Sequence, residues 1–155
     1  MSLSAIVQHK SAIAGPARQT IQSSVPVLVT GLSIDITPQY SDSIILVKAN
    51  IVGNHNHVTS FAVYRDGAPT LSTSGYTNNN YPNMQATSYK GFNNTNYIED
   101  FPIMHYEDVG STATRTYSIY GVATWSTVNY VLYINNRASN NMASFSYMEV
   151  FEVRN

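Results

Sequence analysis

His55-Asn56-His57 stands just ahead of an alternating apolar run, inside the stretch GNHNHVTSFAVYRDG from Gly53 to Gly67. Nucleases built on a His-Asn-His set spread those residues over a much longer ββα unit that holds a metal. Three adjacent residues with no helix after them do not reproduce that arrangement. A metal is the other chemistry such residues suit. On a strand, positions i and i+2 point the same way, so His55 and His57 could share an ion. Two imidazoles are too few for one tight site, although three chains about a three-fold axis would supply six. Polar residues in a loop after Gly53-Asn54 explain the same letters without an ion, and this is the preferred reading.

Carboxylates are the next candidates, because glycosidases set two of them across a cleft, about 5–5.5 Å or 6.5–9.5 Å apart. The chain has nine Asp and Glu, among them Glu99-Asp100 and Glu107-Asp108. Neighbours on a strand face opposite ways, so neither pair can converge. Asp35, Asp42 and Asp66 occupy polar strand or turn positions where Asp is ordinary. The sequence contains no nucleophile elbow, HExxH, phosphate loop or dinucleotide fingerprint. It also has no cysteine, which excludes disulfides, thiolate zinc sites, iron–sulfur clusters and a Cys nucleophile. No catalytic residue, metal ligand set or cofactor is expected, and the chain does not read as an enzyme.

Binding is better served. The segment from Ser72 to Tyr97 is rich in Gly, Asn and Tyr and poor in aliphatic residues. Tyr76, Tyr81, Tyr89 and Tyr97 offer flat apolar faces with a polar edge, and the asparagines offer paired donors and acceptors, a combination that suits a sugar. The same residues would equally cover loops or pack between subunits.

Composition limits the remaining possibilities. Net charge is −1 and 11% of residues are charged, with no run of Lys or Arg. The phosphate-binding footprint of a nucleic-acid protein is therefore missing. No stretch approaches the roughly 20 apolar residues of a membrane span, and the first residues lack a signal-peptide core. Neither nucleic acid nor a membrane is expected as a partner. The 12 Tyr and the load of Thr, Val and Ile suit pleated, half-buried surfaces, with Asn and Ser left for turns.

Period two dominates the chain. Strands are expected at Val25–Thr30, over Leu32, Ile34 and Ile36, at Ile44–Val52, around Phe61 and Val63, over Ile98–Tyr106 and Arg115–Thr124, at Asn129–Ile134 and at Ala143–Val153. Asp66-Gly67 is a two-residue hairpin signal. About eight strands without a defensible helix predict an all-β fold, an antiparallel sandwich of jelly-roll type, over residues 19–155. Residues 1–18 lie outside the alternation and read as an extended N-terminal arm, with Ile6, Val7, His9, Ile13 and Arg18 as its contact residues. In the last strand Phe145, Tyr147, Phe151 and Val153 share one face, while Met148 and Val150 line the other. Large apolar groups on both faces exceed what one core needs, and an oligomer interface accounts for the surplus.

Several stretches together resemble a family. VTGLSIDITPQYSDSIILVKANIVG (29–53), FAVYRDG (61–67), YIEDFP (97–102), VLYINN (131–136) and SYMEVFEV (146–153) look like a domain of tailed-phage virion proteins, found in tail fibres and small structural proteins. The likeness covers roughly residues 19 to 153 and implies a trimeric, all-β virion component without catalytic residues. The contiguous His-Asn-His and the Tyr/Asn segment depart from the pattern. Two roles follow. One is a homotrimeric capsid decoration (cement) protein bound to the major capsid protein. The other is a tail-fibre or receptor-binding tip, joined to tail or baseplate proteins, that recognises host-surface glycan. The short segment ahead of the domain favours cement. The expected location is the virion, assembled in the host cytoplasm.

Overall fold

The alternation of apolar and polar residues builds strands throughout the computed structural model, which describes residues 5–71, 85–89, 97–123, 131–136 and 144–154. In chain order these are β1 (Ala5–Ala14), β2 (Gln19–Ile21), β3 (Val27–Ile36), β4 (Ile44–His55), β5 (Val58–Arg65), β6 (Ala68–Pro69), β7 (Ala86–Tyr89), β8 (Glu99–Asp108), β9 (Arg115–Ala123), β10 (Leu132–Ile134) and β11 (Ser146–Arg154). All pairings among them are antiparallel.

Two sheets result. In the first, β4 is central. It carries β8 along one side, and on the other β11 opposite Ile44–Asn50 and β10 opposite Gly53–His55. β1 flanks β11 and β2 flanks β10. The second sheet runs β3-β9-β5, with β6 and β7 both on the far side of β5. Numbering the eight principal strands in chain order (β1, β3, β4, β5, β7, β8, β9, β11), the sheets read 1-8-3-6 and 2-7-4-5. That interleaving is the jelly roll. The core between the sheets holds Val29, Leu32, Ile36, Ile45, Val47, Ile51, Phe61, Ile119, Met148 and Val150, all essentially inaccessible.

Three expectations change. The arm is not outside the sandwich: Ala5–Ala14 pair with β11 from Arg154 back to Ser146, and Ala14 is buried. A register shift at Val7 and the mixed apolar and polar letters conceal the period of this edge strand. Its side chains also close the sandwich. Lys10 Nζ donates to the carbonyl of Asp35 at 2.6 Å, and Gln8 Nε2 to that of Thr37 at 2.7 Å. From β2, Gln19 donates to Leu28 O and accepts from Thr30 N, both at 2.8 Å. The free edge of β3 is thereby blocked against foreign strands.

The second change joins two expected strands. Val27–Thr30 and Leu32–Ile36 are one element, bulged between Leu28 and Ser33, with Gly31 at φ +89° supplying the left-handed residue such a bulge uses. Third, Gly53, Asn54 and His55 extend β4 instead of opening a loop. A Cβ on Gly53 would lie 2.5 Å from the carbonyl oxygen of Tyr133, so only glycine lets β10 approach that closely. The Asp66-Gly67 turn forms as the letters predict, with φ of 52° and 81° between paired Arg65 and Ala68.

Candidate functional site

In β1, β4, β8 and β11 every second side chain leaves the core, and register places those side chains in rows across the sheet. Ile6, Val153 and Ile44 form one row. His9, Phe151, Leu46 and Tyr106 form the next, and Ile13, Tyr147, Asn50 and Pro102 another. Between these last two runs a row of Ser11, Glu149 and Lys48 that ends in apolar Met104. The most exposed large apolar groups on this face are Tyr106 at 72%, Ile13 at 68%, Met104 at 66% and Ile6 at 64%. Phe145, just before β11, is also exposed. A sheet face of this composition exceeds the scattered apolar exposure of an ordinary surface.

The face unites two groups of residues that the sequence suggested separately. Phe145, Tyr147, Phe151 and Val153 all belong to it, and β1 brings Ile6, His9 and Ile13 beside them. His9 stacks on Phe151 with ring centroids 4.5 Å apart, and its Nε2 lies 3.3 Å from Glu149 Oε1. Lys48 Nζ stands 5.7 Å from the centroid of the Phe151 ring. Val7 sits at the register shift, half-buried, and Arg18 lies beyond the turn, its guanidinium 5.1 Å from the centroid of the Tyr133 ring. Ser11, Ala12, Ile13, Phe145, Tyr147 and Glu149 border a hollow of about 740 Å³ at the β1 side.

His55 and His57 lie at the corner where the chain leaves one sheet for the other, and both are buried. His55 Nδ1 is 3.0 Å from the carbonyl oxygen of His57, and Nε2 is 3.0 Å from Glu99 Oε2. Both ring nitrogens are thereby engaged, one by a backbone carbonyl and one by the Glu99 carboxylate. An ion would have to displace both contacts. No group of three His, Asp or Glu among the described residues is placed to hold a metal. Asn56 closes the corner by accepting from Val131 N at 2.8 Å. Of the tyrosines, Tyr76 and Tyr81 lie outside the described residues. Tyr89 ends β7 opposite Val58, and Tyr97 is exposed, its carbonyl accepting from Asn54 Nδ2.

Two carboxylates, Glu107 half-buried and Glu152 fully buried, hold structural places that the sequence did not reveal. Glu107, at the end of β8, reaches across to the other sheet. Arg65 Nη1 lies 2.8 Å from one of its oxygens and Arg115 Nη1 3.5 Å from the other, and the Tyr117 hydroxyl donates to it. Burial opposes its charge, but the approach of His105 and the hydrogen bonds from Tyr117 and Arg65 outweigh this and bring its pKa down to about 2. Burial and the same contact push Tyr117 upward. Glu152, inaccessible on β11, accepts from the backbone N–H of Gln39 and Tyr40 at 3.0 Å and from Gln8 Nε2 at 2.6 Å. Burial again raises its pKa, and these donors more than reverse that. The signal for Glu152 was its place in the inward series Met148, Val150, Glu152. Both groups tie elements together, Glu107 the two sheets and Glu152 the β3–β4 turn.

No family model matches the chain, and no curated protein matches it. Among solved structures it is similar to the protein of infectious bursal virus-derived T=1 particles, with a TM-score of 0.47 and 11% sequence identity. That similarity covers 95% of this chain and 36% of the other, so the chain spans about a third of that protein's length.

Proposed function

We propose that this chain is a structural protein of a virus particle, a homotrimeric decoration (cement) protein seated on the major capsid protein of a tailed phage. The observation that carries this reading is the apolar outer face of the β8-β4-β11-β1 sheet. The chain keeps its charge low and presents a rigid, largely aliphatic and aromatic surface, as a subunit designed for permanent burial does. The sequence motifs that resemble virion proteins support the same reading, and so does the jelly-roll topology, which viral capsid domains use among other folds. The role is binding without catalysis. With β1 held in the sheet, contact with neighbours falls to this face instead of a free arm.

Purified particles test the proposal. The chain should be found on the head as density with three-fold symmetry. Density at the tail tip would replace the proposal with a receptor-binding tip that takes host glycan. Absence from the particle, or hydrolysis of polysaccharide by the pure protein, would overturn it.

A further inference from the structure

Among the described residues one long sheet edge is left open. β1 lies along β3, with Gln8 and Lys10 on its carbonyls and Gly31 packed near Ala14, so that side of the sandwich is closed. β2, β6 and β7 are short, whereas β8 has ten residues and pairs with β4 alone. Register tells which of its backbone groups are spare. Val52 N donates to Ser146 Oγ and Val52 O accepts from Asn135 N, so Val52 turns its peptide groups to the β11 and β10 side of β4. Successive residues of an antiparallel strand turn theirs to opposite sides, and Ile51, Ala49, Val47 and Ile45 therefore face β8. Their partners Phe101, Ile103, His105 and Glu107 spend their N–H and C=O groups there. The bond from Val109 N to Ser43 O keeps the same phase beyond the strand. The other set remains. Asp100, Met104, Tyr106 and Asp108 direct N–H and C=O groups to the open side, and Pro102 a carbonyl alone. The side chains of these same residues are all exposed.

Unpaired donors and acceptors at strand spacing fit one kind of ligand, another extended backbone. Charge narrows the choice. Glu99 and Glu107 turn to His55 and Arg65, whereas Asp100 and Asp108 stay on the rim, Asp100 accepting from neutral Asn50. Lys48, opposite Met104, holds its ammonium by the Phe151 ring, on the far side of β4 from this edge. A second copy would bring the same carboxylates. Antiparallel pairing centred on Met104 would set Asp100 of one copy against Asp108 of the other, with like charges opposed. A basic strand meets no such repulsion. We infer that the open edge of β8, from Pro102 to Asp108, takes an extended strand of a partner protein, with apolar side chains beside Met104 and Tyr106 and a Lys or Arg beside Asp108. This rests on the reading of the chain as an assembly component, whose partner is a protein, and names the contact. Pro102 ends the ladder by withholding an N–H, so the added strand is short.

Amide hydrogen exchange of the full chain, read by NMR, tests the edge. The probe is a peptide of alternating Val and Thr that spans Asp100 to Asp108, with Lys at both ends, compared with the same peptide ending in Glu. Without peptide, the amides of Ile103 and His105 should be protected while those of Met104, Tyr106 and Asp108 exchange freely. The Lys peptide should slow those exposed amides, and the Glu peptide should bind at least about tenfold more weakly. Met104→Pro and Tyr106→Pro each remove a donor from the open side and no bond to β4, as Pro102 already does. Each should weaken the Lys peptide by about tenfold while Ile103 and His105 stay protected, the sign of an intact sheet. Asp108→Lys, which leaves the backbone alone, should reverse the preference between the peptides. Protection of Met104, Tyr106 and Asp108 without peptide would mean that another copy already covers the edge. No protection by millimolar Lys peptide would mean that the edge takes no strand. Either result overturns the inference and leaves the location of the chain on a particle untouched, and equal binding of the two peptides overturns the basic partner.

Discussion

Glu107 keeps its charge between the two sheets because Arg65, Arg115 and Tyr117 converge on it, and the depressed pKa of about 2 links stability to pH. A carboxylate with a lowered folded-state pKa stabilises fully above its unfolded value, near 4.5, and ceases to do so as pH falls towards 2. After allowance for solvent screening, the interaction is worth about 1–2 kcal/mol at neutral pH. Glu107→Gln should therefore lower stability by that amount at pH 7, and the difference from the parent should shrink between pH 4.5 and 2. Urea unfolding of both proteins across that range measures it, and a gap independent of pH would refute the ionic account. None of this was legible from Glu107-Asp108 alone. Alternation tells which neighbour points inward, but not that Arg65 and Arg115 arrive from the opposite sheet.

β1 is the element that most changes the picture. Gln8 and Lys10 cap the carbonyls of Thr37 and Asp35, Gln8 also bonds Glu152, and Ala14 enters the core. Deleting residues 1–14 should therefore destabilise the sandwich and not merely remove a tether. The three side-chain hydrogen bonds alone, at about 1 kcal/mol each, set a loss of at least about 3 kcal/mol, which lowers Tm by at least roughly 6 °C in a chain of this size. Thermal unfolding followed by circular dichroism checks this, and an unchanged Tm would restore the free-arm reading. The strands that alternate cleanly, such as Ile44–Val52, Phe101–Tyr106 and the end of β11, were legible because burial on one face enforces period two. β1 was not, since an edge strand whose inward positions hold Gln8 and Lys10 has no apolar period to detect. The hydrogen bonds that use those side chains depend on a neighbour, β3, brought close by the fold. The His55–Glu99 pair was hidden for the same reason, its partners being 44 positions apart.

At the scale of the whole molecule, the two sheets divide the work, because the outer faces differ. Behind β3, β9 and β5, Ser33 and Ser118 share a hydrogen bond at 2.8 Å, Thr116 donates to Asp35 at 2.6 Å, and Tyr64 stacks on Tyr120. That face satisfies its polar groups internally and suits water. The opposite face leaves Ile6, Ile13, Met104, Tyr106, Phe145 and Tyr147 exposed. Tyr147→Asp separates folding from assembly. Tyr147 is about half exposed in the single chain, so a charge there remains hydrated, and the lost strand preference and ring packing should cost the fold only about 1–2 kcal/mol. In an assembled face the same carboxylate would be buried without a partner, at about 3–5 kcal/mol, enough to weaken association by two to three orders of magnitude. The variant should therefore keep the far-ultraviolet spectrum of the parent and show a mass of 17.1 kDa at micromolar concentration. Trimers of undiminished stability would mean that copies meet elsewhere, and a lost spectrum would mean that Tyr147 supports the strand itself.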